Sequence, residues 1–424
     1  MVGLVSSSKR RDLFFYVLFI VSIFIDSING FLQVSYNIYT PIGMAFRGVI
    51  LLYVCYYKSF SQKTCLTALF GVVVISYFLS ILIWISSSNY FSLVEEFNAL
   101  FRFLYFWGVI FYFQKYRILI DKEKLFSILM KSIFIIAAMN ILCFTFGWGN
   151  NSYGENFGFG TKAFYADGNS IGMYLVLSQF YVLGNFVNSK TNKIRWMFYY
   201  MVVALGTILI GSRTAFIGTV VVFWMVLLYR FFCVPMNRNN NIKRLLIICL
   251  FVASAFIFKF AINKIISYDS FTSERYAVER ISSPREKLIE EGLSVISSYE
   301  GLELIIGNGK SSGLREMGIK YFDSSDGDKS IEADFYDQIL FYGWGLGGLF
   351  CLMYLSLFFY FIVNWVKVRS ESNFLIMCLS CVWIMLSAIG GHGFGNVMIA
   401  PLLGCGFVFA TKNKLVKNGN KRSF

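Results

Sequence analysis

The chain has 424 residues, of which 57% are hydrophobic and only 15% are charged. Because soluble domains are about half apolar and about a quarter charged, this composition excludes a soluble globular protein. The net charge of +14 would indicate a nucleic-acid partner in a soluble protein. Here the basic residues concentrate in short gaps between apolar segments, so we predict a membrane protein with no nucleic-acid partner.

Apolar segments long enough to cross a bilayer as helices recur along the whole chain. The first one follows Lys9, Arg10 and Arg11, as in a signal peptide, but no small-x-small cleavage site follows it, so we interpret it as the first helix. The sequence therefore predicts an all-α polytopic membrane protein, with residues 1–424 forming a single integral-membrane domain. We place about twelve transmembrane helices at about 13–30, 42–57, 65–85, 97–114, 125–147, 169–188, 196–211, 216–232, 245–262, 335–362, 374–390 and 396–411.

The distribution of basic residues predicts the orientation of these helices. Lysine and arginine concentrate in the two tails and in the gaps that lie on the same side as the tails. The short loops on the far side hold only Lys162 and Arg213. Because positive charge next to membrane helices stays in the cytoplasm, we predict that both termini are cytoplasmic.

One long polar segment, residues 263–334, separates predicted transmembrane helices 9 and 10 on the far side. Within it, Ser283, Pro284 and Glu286 have the spacing of a capping box with proline in the first helical turn. An apolar stripe at helical spacing follows, formed by Leu288, Ile289, Leu293 and Ile296. We therefore predict that this large loop folds into a cap containing an amphipathic helix that lies on the membrane surface.

Several kinds of chemistry are excluded by what the sequence lacks. A single histidine, His392, leaves no multi-histidine zinc site and argues against a Ser-His-Asp triad. No P-loop or dinucleotide-binding glycine pattern occurs, which argues against nucleotide hydrolysis. Asp326 and Asp328 have the spacing of a metal–nucleotide-sugar motif, but we interpret them as a solvated turn. We predict no metal and no cofactor.

Arginines on the far side are candidate ligands for an anion. Arg213 lies in a connection too short to be a free loop, and Arg285 lies in the first turn of the predicted loop helix, where backbone N–H groups also favour an anion. The planar guanidinium suits phosphate, so we predict a diphosphate site formed by Arg213 and Arg285, with Arg280 and Arg315 as further members. The alternatives are an arginine that only ends a helix at Arg213 and a solvated surface residue at Arg285.

Two other arginines, Arg47 and Arg102, lie inside predicted transmembrane helices. A charge at that depth usually has a partner, and the carboxylates of Glu95 and Glu96 are candidates, with lipid head groups as the alternative.

Carboxylates are the only obvious bases. Glu332, Asp334 and Asp337 stand where the long loop re-enters the membrane, and a carboxylate at that border can accept a proton from a sugar hydroxyl. We predict Glu332 and Asp334 as catalytic residues. The alternative is that Asp334 caps the next helix while Glu332 is solvated.

Four short blocks carry a resemblance to a known family. They are a helix opening from Phe164 to Gly172, a helix junction Gly211–Arg213, Arg285 followed by Gly307–Gly309, and a re-entry motif from Glu332 to Gly348. In their order and position the blocks resemble the integral-membrane O-antigen polymerases, in the superfamily that also contains O-antigen ligases. The first block has Gly168 where the family usually has proline.

The resemblance implies a GT-C-like glycosyltransferase of a bacterial inner (cytoplasmic) membrane that acts on the periplasmic face in lipopolysaccharide biosynthesis. It would transfer a growing glycan from undecaprenyl diphosphate to a sugar hydroxyl of a new undecaprenyl-diphosphate-linked repeat unit, without a metal. Donor and acceptor oligosaccharides, membrane lipid, a chain-length regulator and a flippase are the implied partners. We assign Asn169, Tyr336 and His392 to substrate binding.

Two alternatives remain open. Ligases have a histidine where this chain has Glu332, which argues against an O-antigen ligase and fits a polymerase. A lipid-linked oligosaccharide flippase or other transporter has a similar number of helices but would carry its charges near the bilayer midplane.

Overall fold

The computed structural model describes residues 11–38, 40–62, 64–87, 90–152, 159–188, 192–233, 238–266, 283–322 and 328–410. In this part of the chain the regular structure is helical, apart from one isolated bridge between Asn151 and Thr161. The helices are α1 (Arg11–Tyr36), α2 (Ile42–Tyr56), α3 (Cys65–Ser87), α4 (Leu93–Tyr116), α5 (Lys122–Phe146), α6 (Gly168–Asn188), α7 (Lys193–Ile208), α8 (Arg213–Cys233), α9 (Arg238–Ile266), α10 (Ser283–Ser297), α11 (Gly301–Ile306), α12 (Lys310–Phe322), α13 (Asp334–Tyr342), α14 (Gly348–Lys367), α15 (Glu371–Gly390) and α16 (Ile399–Phe409).

Every predicted transmembrane segment coincides with helix in the structure, with ends that differ by a few residues. Among the described residues, six stretches are long and apolar enough to cross a membrane, with α13 and α14 counted as one. They are Arg11–Tyr36, Cys65–Ser87, Lys122–Phe146, Arg213–Phe231, Asp334–Lys367 and Glu371–Gly390. An all-α membrane protein is therefore confirmed, while the count of about twelve spans stays a prediction.

Three helices form the centre of the bundle. Residues 105–113 of α4, 171–184 of α6 and 399–408 of α16 are buried without interruption, and α16 packs against both α4 and α6. Outer helices instead expose large apolar side chains, such as Leu79 (58% exposed) and Leu82 (67%) on α3. This pattern gives the molecule a protein-covered core and an apolar outer surface, as expected of a protein surrounded by lipid.

The capping-box pattern at Ser283 begins helix α10, as the sequence predicts. Leu288 and Ile296 on its apolar stripe are buried, and α10 packs against α12 and α13. The approach is close, since a Cβ atom at Gly292 would lie 2.3 Å from Cδ1 of Ile331. The stripe therefore faces protein rather than the membrane surface that we predicted, and only Leu293 (40% exposed) points outward.

The helices α10–α12, here called the cap, are fixed to one end of the bundle. The Trp84 indole of α3 donates a hydrogen bond of 2.8 Å to the carbonyl of Gly307. The backbone N–H of Ser92, just before α4, donates to the Ser311 hydroxyl at 2.9 Å. Gly309 adopts φ +85°, and a Cβ there would lie 3.0 Å from the Glu96 carboxylate, so only glycine fits. We call this end of the bundle the cap end.

Candidate functional site

A cavity of about 510 Å³ opens at the cap end of the bundle. Residues of α1, α2, α4, α12 and α13 line it, together with the segment before α6 and the loop 391–398. Polar groups make up much of its wall: Asp26, Asn29, Gln33, Arg47, Arg102, Asp167, Ser170, Lys310, Ser330, Asp334, Asp337, Gln338, His392 and Asn396. Its size and mixed lining are those of a site for a small or medium-sized polar ligand.

Arg102 of α4 is the most unusual group in this wall. Its side chain is exposed, although it lies on a central helix, because it faces the open space of the cavity. Within the described part of the chain it has no hydrogen bond or ion pair, and only longer-range electrostatic interactions with Arg47, Asp26 and Asp167. A guanidinium without a bonded carboxylate, inside a cavity, has all of its donors available to a ligand.

Arg47 of α2 lies beside Arg102 and forms an ion pair. Its guanidinium donates to a carboxylate oxygen of Asp26 at 2.6 Å, and both side chains are largely buried. Our prediction of Glu95 or Glu96 as its partner was therefore wrong. The Asp26 carboxylate cancels the charge of Arg47, which leaves Arg102 as the cation in this part of the wall that no carboxylate contacts directly.

Lys310, the first residue of α12, adds a second cation. Among the described residues, its ammonium group has no hydrogen-bond acceptor or ion-pair partner. Burial, and secondarily the positive charge of Arg102, lower the pKa of Lys310. Lys310 thus interacts unfavourably with Arg102 and favourably with the carboxylates of Glu96, Glu95 and Asp337. Because Lys310 and Arg102 line the same cavity, together they can attract an anion.

Glu96 explains how Lys310 is held in place. Its fully buried carboxylate accepts hydrogen bonds from the Tyr77 hydroxyl at 2.7 Å and from the backbone N–H of Ser311 at 3.0 Å. A carboxylate at the start of a helix also interacts favourably with the helix dipole. Glu96 therefore anchors the first turn of α12, and with it the backbone of Lys310.

The predicted catalytic carboxylates have separate roles in the structure. Glu332 forms an ion pair of 2.6 Å with Lys329 and is not among the described residues that line the cavity. Asp334 does line it, but one of its carboxylate oxygens accepts hydrogen bonds from the backbone N–H groups of Gly393 (2.7 Å) and Phe394 (2.8 Å). Asp334 thereby holds the loop 391–398 in place.

His392, predicted to bind substrate, is in the cavity wall. Its Nδ1 atom lies 3.6 Å from a carboxylate oxygen of Asp167. Asp167 also caps α6, since it accepts hydrogen bonds from the backbone N–H groups of Asn169 (2.9 Å) and Ser170 (3.2 Å). Asn169 itself faces a small neighbouring cavity, and Tyr336 is half-buried and does not line the large one.

Two of the predicted diphosphate ligands, Arg213 and Arg315, can be placed in the structure. Arg213 begins α8, is half-buried, and is not among the described residues lining the cavity. Arg315 lies 3.9 Å from Asp328 and 5.9 Å from the ring of Tyr90, also away from the cavity wall. Arg280 and the side chain of Arg285 lie outside the described residues.

The structure thus brings together Arg47, Arg102 and Lys310 at the cavity, whereas Arg213 and Arg315 are not among the described residues that line it. A signal for Arg102 was present in the sequence, because an arginine inside an apolar helix marks a ligand path or a buried partner. No comparable signal identified Lys310, whose position depends on how the cap packs against α4.

The chain was compared with known protein families and with curated proteins, and nothing matches in either comparison. Among the described residues, no group of three or more histidine, cysteine, aspartate or glutamate side chains has a metal-binding arrangement. The chemical capacity of the site therefore has to be inferred from its own geometry. It can hold an anion on Arg102 and Lys310, and hydroxyl groups on the neighbouring amides and carboxylates.

Proposed function

We propose that this protein transfers a glycan from a polyprenyl diphosphate, undecaprenyl diphosphate, to a sugar hydroxyl of a second lipid-linked unit. The observation that carries this proposal is the pair of cations Arg102 and Lys310, which lack a hydrogen-bonded carboxylate in the described structure and face a cavity of about 510 Å³. A diphosphate supplies the anion that these cations favour. The proposal includes action at the periplasmic face of a bacterial inner membrane.

The rest of the cavity wall fits a lipid-linked sugar. The side-chain amides of Asn29, Gln33, Gln338 and Asn396 are hydrogen-bond donors and acceptors for sugar hydroxyls. Apolar residues of the same wall, including Phe103, offer a surface for the first part of a polyprenyl chain. The outer helices expose apolar side chains along which the remaining tail can lie in the bilayer.

The cations also account for how the reaction would be accelerated, whereas cleavage of the lipid diphosphate bond supplies its driving force. When the bond between the anomeric carbon and the diphosphate breaks, negative charge increases on the diphosphate. Cations that are already fixed in place stabilise this charge more strongly than solvent does, because they need no reorganisation. Arg102 lies on α4, whose residues 105–113 are buried, and Lys310 lies on a turn anchored by Glu96, so the backbone of both is fixed before the substrate binds.

The direct test is glycan transfer by the purified protein in liposomes, with undecaprenyl-diphosphate-linked repeat unit extracted from the source organism. Arg102→Ala and Lys310→Ala should each lower the rate of polymer formation by about 100-fold or more, as expected for a lost charge-stabilising donor. Both should also weaken binding of undecaprenyl diphosphate measured without turnover. Gel electrophoresis and mass spectrometry of the product report the polymer length.

A matched control is Arg195→Ala. Arg195 is exposed near the start of α7, at the opposite end of the bundle, over the ring of Tyr199. This variant should polymerise normally. Normal activity of both the Arg102 and Lys310 variants would contradict the site. Transfer to a lipid A core acceptor instead of a lipid-linked unit would identify a ligase, and movement of the substrate across the bilayer without bond formation would identify a flippase.

A further inference from the structure

His392 is the single histidine of the chain, and three observations set it apart. It lines the cavity that contains Arg102 and Lys310. Its side chain is 37% exposed, so the imidazole is accessible from that cavity. Its Nδ1 atom faces the Asp167 carboxylate at 3.6 Å, which leaves the Nε2 atom for a ligand.

The backbone at His392 is held in a conformation that costs free energy. Its φ of +65° lies in the left-handed region, which favours glycine. The loop keeps this conformation because Asp334 accepts hydrogen bonds from Gly393 and Phe394, while the Asn396 side chain donates to the His392 carbonyl at 2.8 Å. Backbone strain maintained by such contacts is characteristic of functional positions, where a side chain must point in one direction.

We propose that His392 is the general base that activates the acceptor hydroxyl, with Asp167 orienting its imidazole and Asp334 positioning its loop. This inference rests on the proposed function. Of the two carboxylates predicted as catalytic, Glu332 is paired with Lys329 and does not line the cavity in the described structure. Asp334 lines the cavity, but its carboxylate accepts two backbone hydrogen bonds from the loop. Imidazole accepts and releases a proton near neutral pH, as a general base requires.

The step balances without a cofactor. The acceptor hydroxyl gives its proton to Nε2 of His392, and a lone pair of its oxygen forms the new bond to the anomeric carbon of the donor. The bond from that carbon to the diphosphate oxygen breaks, and its electron pair leaves on undecaprenyl diphosphate, next to Arg102 and Lys310. The imidazolium is stabilised by Asp167 and then releases its proton to water.

The charges around His392 favour this proton transfer. Asp167 faces it from the segment before α6, and Asp334 faces it from the first turn of α13. Arg102 and Lys162 both interact electrostatically with Asp167. Lys162 also donates to the carbonyl of Ala166 at 2.9 Å, which keeps its charge outside the cavity wall. Two carboxylates therefore face the imidazole that takes the proton in the proposed step.

The test compares His392→Asn and His392→Gly with wild type in the reconstituted transfer assay. Both residues tolerate the left-handed backbone, and glycine removes the strain, so the melting temperature should stay the same or rise. The rate should fall by about 100-fold or more in both variants while binding of undecaprenyl diphosphate is unchanged. The pH profile of the rate should also change in both variants, because the group that takes the proton has been removed.

Two variants test the supporting residues. Asp167→Asn keeps the helix cap but loses the charge, and it should lower the rate by a smaller factor than His392→Asn. Asp334→Asn keeps a carbonyl oxygen that accepts both backbone N–H groups and should retain most activity, whereas Asp334→Ala should not. If Asp334→Asn loses activity while His392→Asn keeps normal activity, the base is Asp334 and not His392.

The outcomes separate this inference from the proposed function. If the wild type is active and His392→Asn has the same rate and the same pH profile, the role of His392 as base is overturned but the proposed function is not. An inactive wild type that still binds undecaprenyl diphosphate overturns both the proposed function and the base. If the wild type is active, and if His392→Gly is stable and binds undecaprenyl diphosphate but is inactive, the result supports both the proposed function and the role of His392 as base.

Discussion

Lys310 and Arg102 direct like charges into one cavity, and this arrangement lowers the stability of the empty protein. Burial and the charge of Arg102 both disfavour the protonated ammonium of Lys310 and lower its pKa. Folding retains the pair even though an apolar side chain of similar size would remove the repulsion. Such a cost at one residue is expected where the group is kept for binding, because the ligand restores the favourable interaction.

The lowered pKa of Lys310 leads to a pH prediction. Part of the Lys310 population loses its proton as pH rises toward the ordinary lysine value of about 10.4, whereas a bound diphosphate favours the protonated form. Affinity for undecaprenyl diphosphate should therefore begin to fall at a lower pH than an ordinary lysine would cause, as pH is raised toward the ordinary lysine value. Binding measured by quenching of tryptophan fluorescence or by isothermal titration over this range checks the effect.

The control is Lys310→Arg, which stays charged across the whole range. In this variant the affinity should depend much less on pH than in wild type. Equal pH dependence in both proteins would show that another group titrates and that Lys310 does not contact the diphosphate.

Sequence patterns predicted which types of residue line the candidate site, but not which residues of those types. Arginine was expected as the anion ligand, and the structure has Arg102 at the cavity instead of Arg213. Both lie near helix ends or inside apolar segments, so spacing alone does not distinguish them. The difference arises from which helix is central, and that depends on packing between α4, α6 and α16.

At the scale of elements, the cap depends on one buried carboxylate. Glu96 of α4 joins the Tyr77 hydroxyl of α3 to the first turn of α12, at Ser311. Removing it leaves the backbone N–H of Ser311 buried without its acceptor, at a cost of about 1–3 kcal/mol, while the Tyr77 hydroxyl keeps only its 3.1 Å bond to the backbone carbonyl of residue 96. We therefore expect Glu96→Ala to lower the melting temperature and to loosen the start of α12.

Hydrogen exchange measured by mass spectrometry checks this expectation. Amides of 309–314 should exchange faster in Glu96→Ala, and undecaprenyl diphosphate should bind more weakly because Lys310 is no longer fixed. Tyr77→Phe is the matched control, since it removes one donor and leaves the bond from Glu96 to Ser311 in place. Unchanged exchange at 309–314 in Glu96→Ala would show that other contacts hold the cap.

The elements themselves were largely predictable, because each depends on local sequence. The capping box at Ser283 located the start of α10, and apolar runs located the transmembrane segments to within a few residues. The surface that α10 covers was not predictable. Its stripe meets Met317 and Ile331, and contacts between residues so distant from one another along the chain leave no periodic signal.

At the scale of the whole molecule, the central helices explain why fewer stretches meet the membrane criteria than the predicted count of about twelve. In the described residues α4 carries Glu96 and Arg102, and α16 has only 11 residues. A helix surrounded by other helices does not need an apolar surface toward lipid, and it can hold the polar residues of a site. A central helix can therefore lie within a membrane bundle without meeting criteria of length and composition.

The orientation of the whole bundle gives the last prediction. If both termini are cytoplasmic and the cap end is periplasmic, alkaline phosphatase fused after Phe146, Ile266 or Gly390 should be active, because it folds only outside the cytoplasm. Green fluorescent protein fused after Tyr116 or Lys367 should be fluorescent, because it folds in the cytoplasm. Each site should give the opposite result with the other reporter, which serves as its control.

If the reporter activities are reversed at one fusion site and at every later site, a predicted helix before the first reversed site does not cross the membrane. Phosphatase activity after Tyr116 together with fluorescence after Ile266 would put the cap end in the cytoplasm and would contradict a periplasmic acceptor.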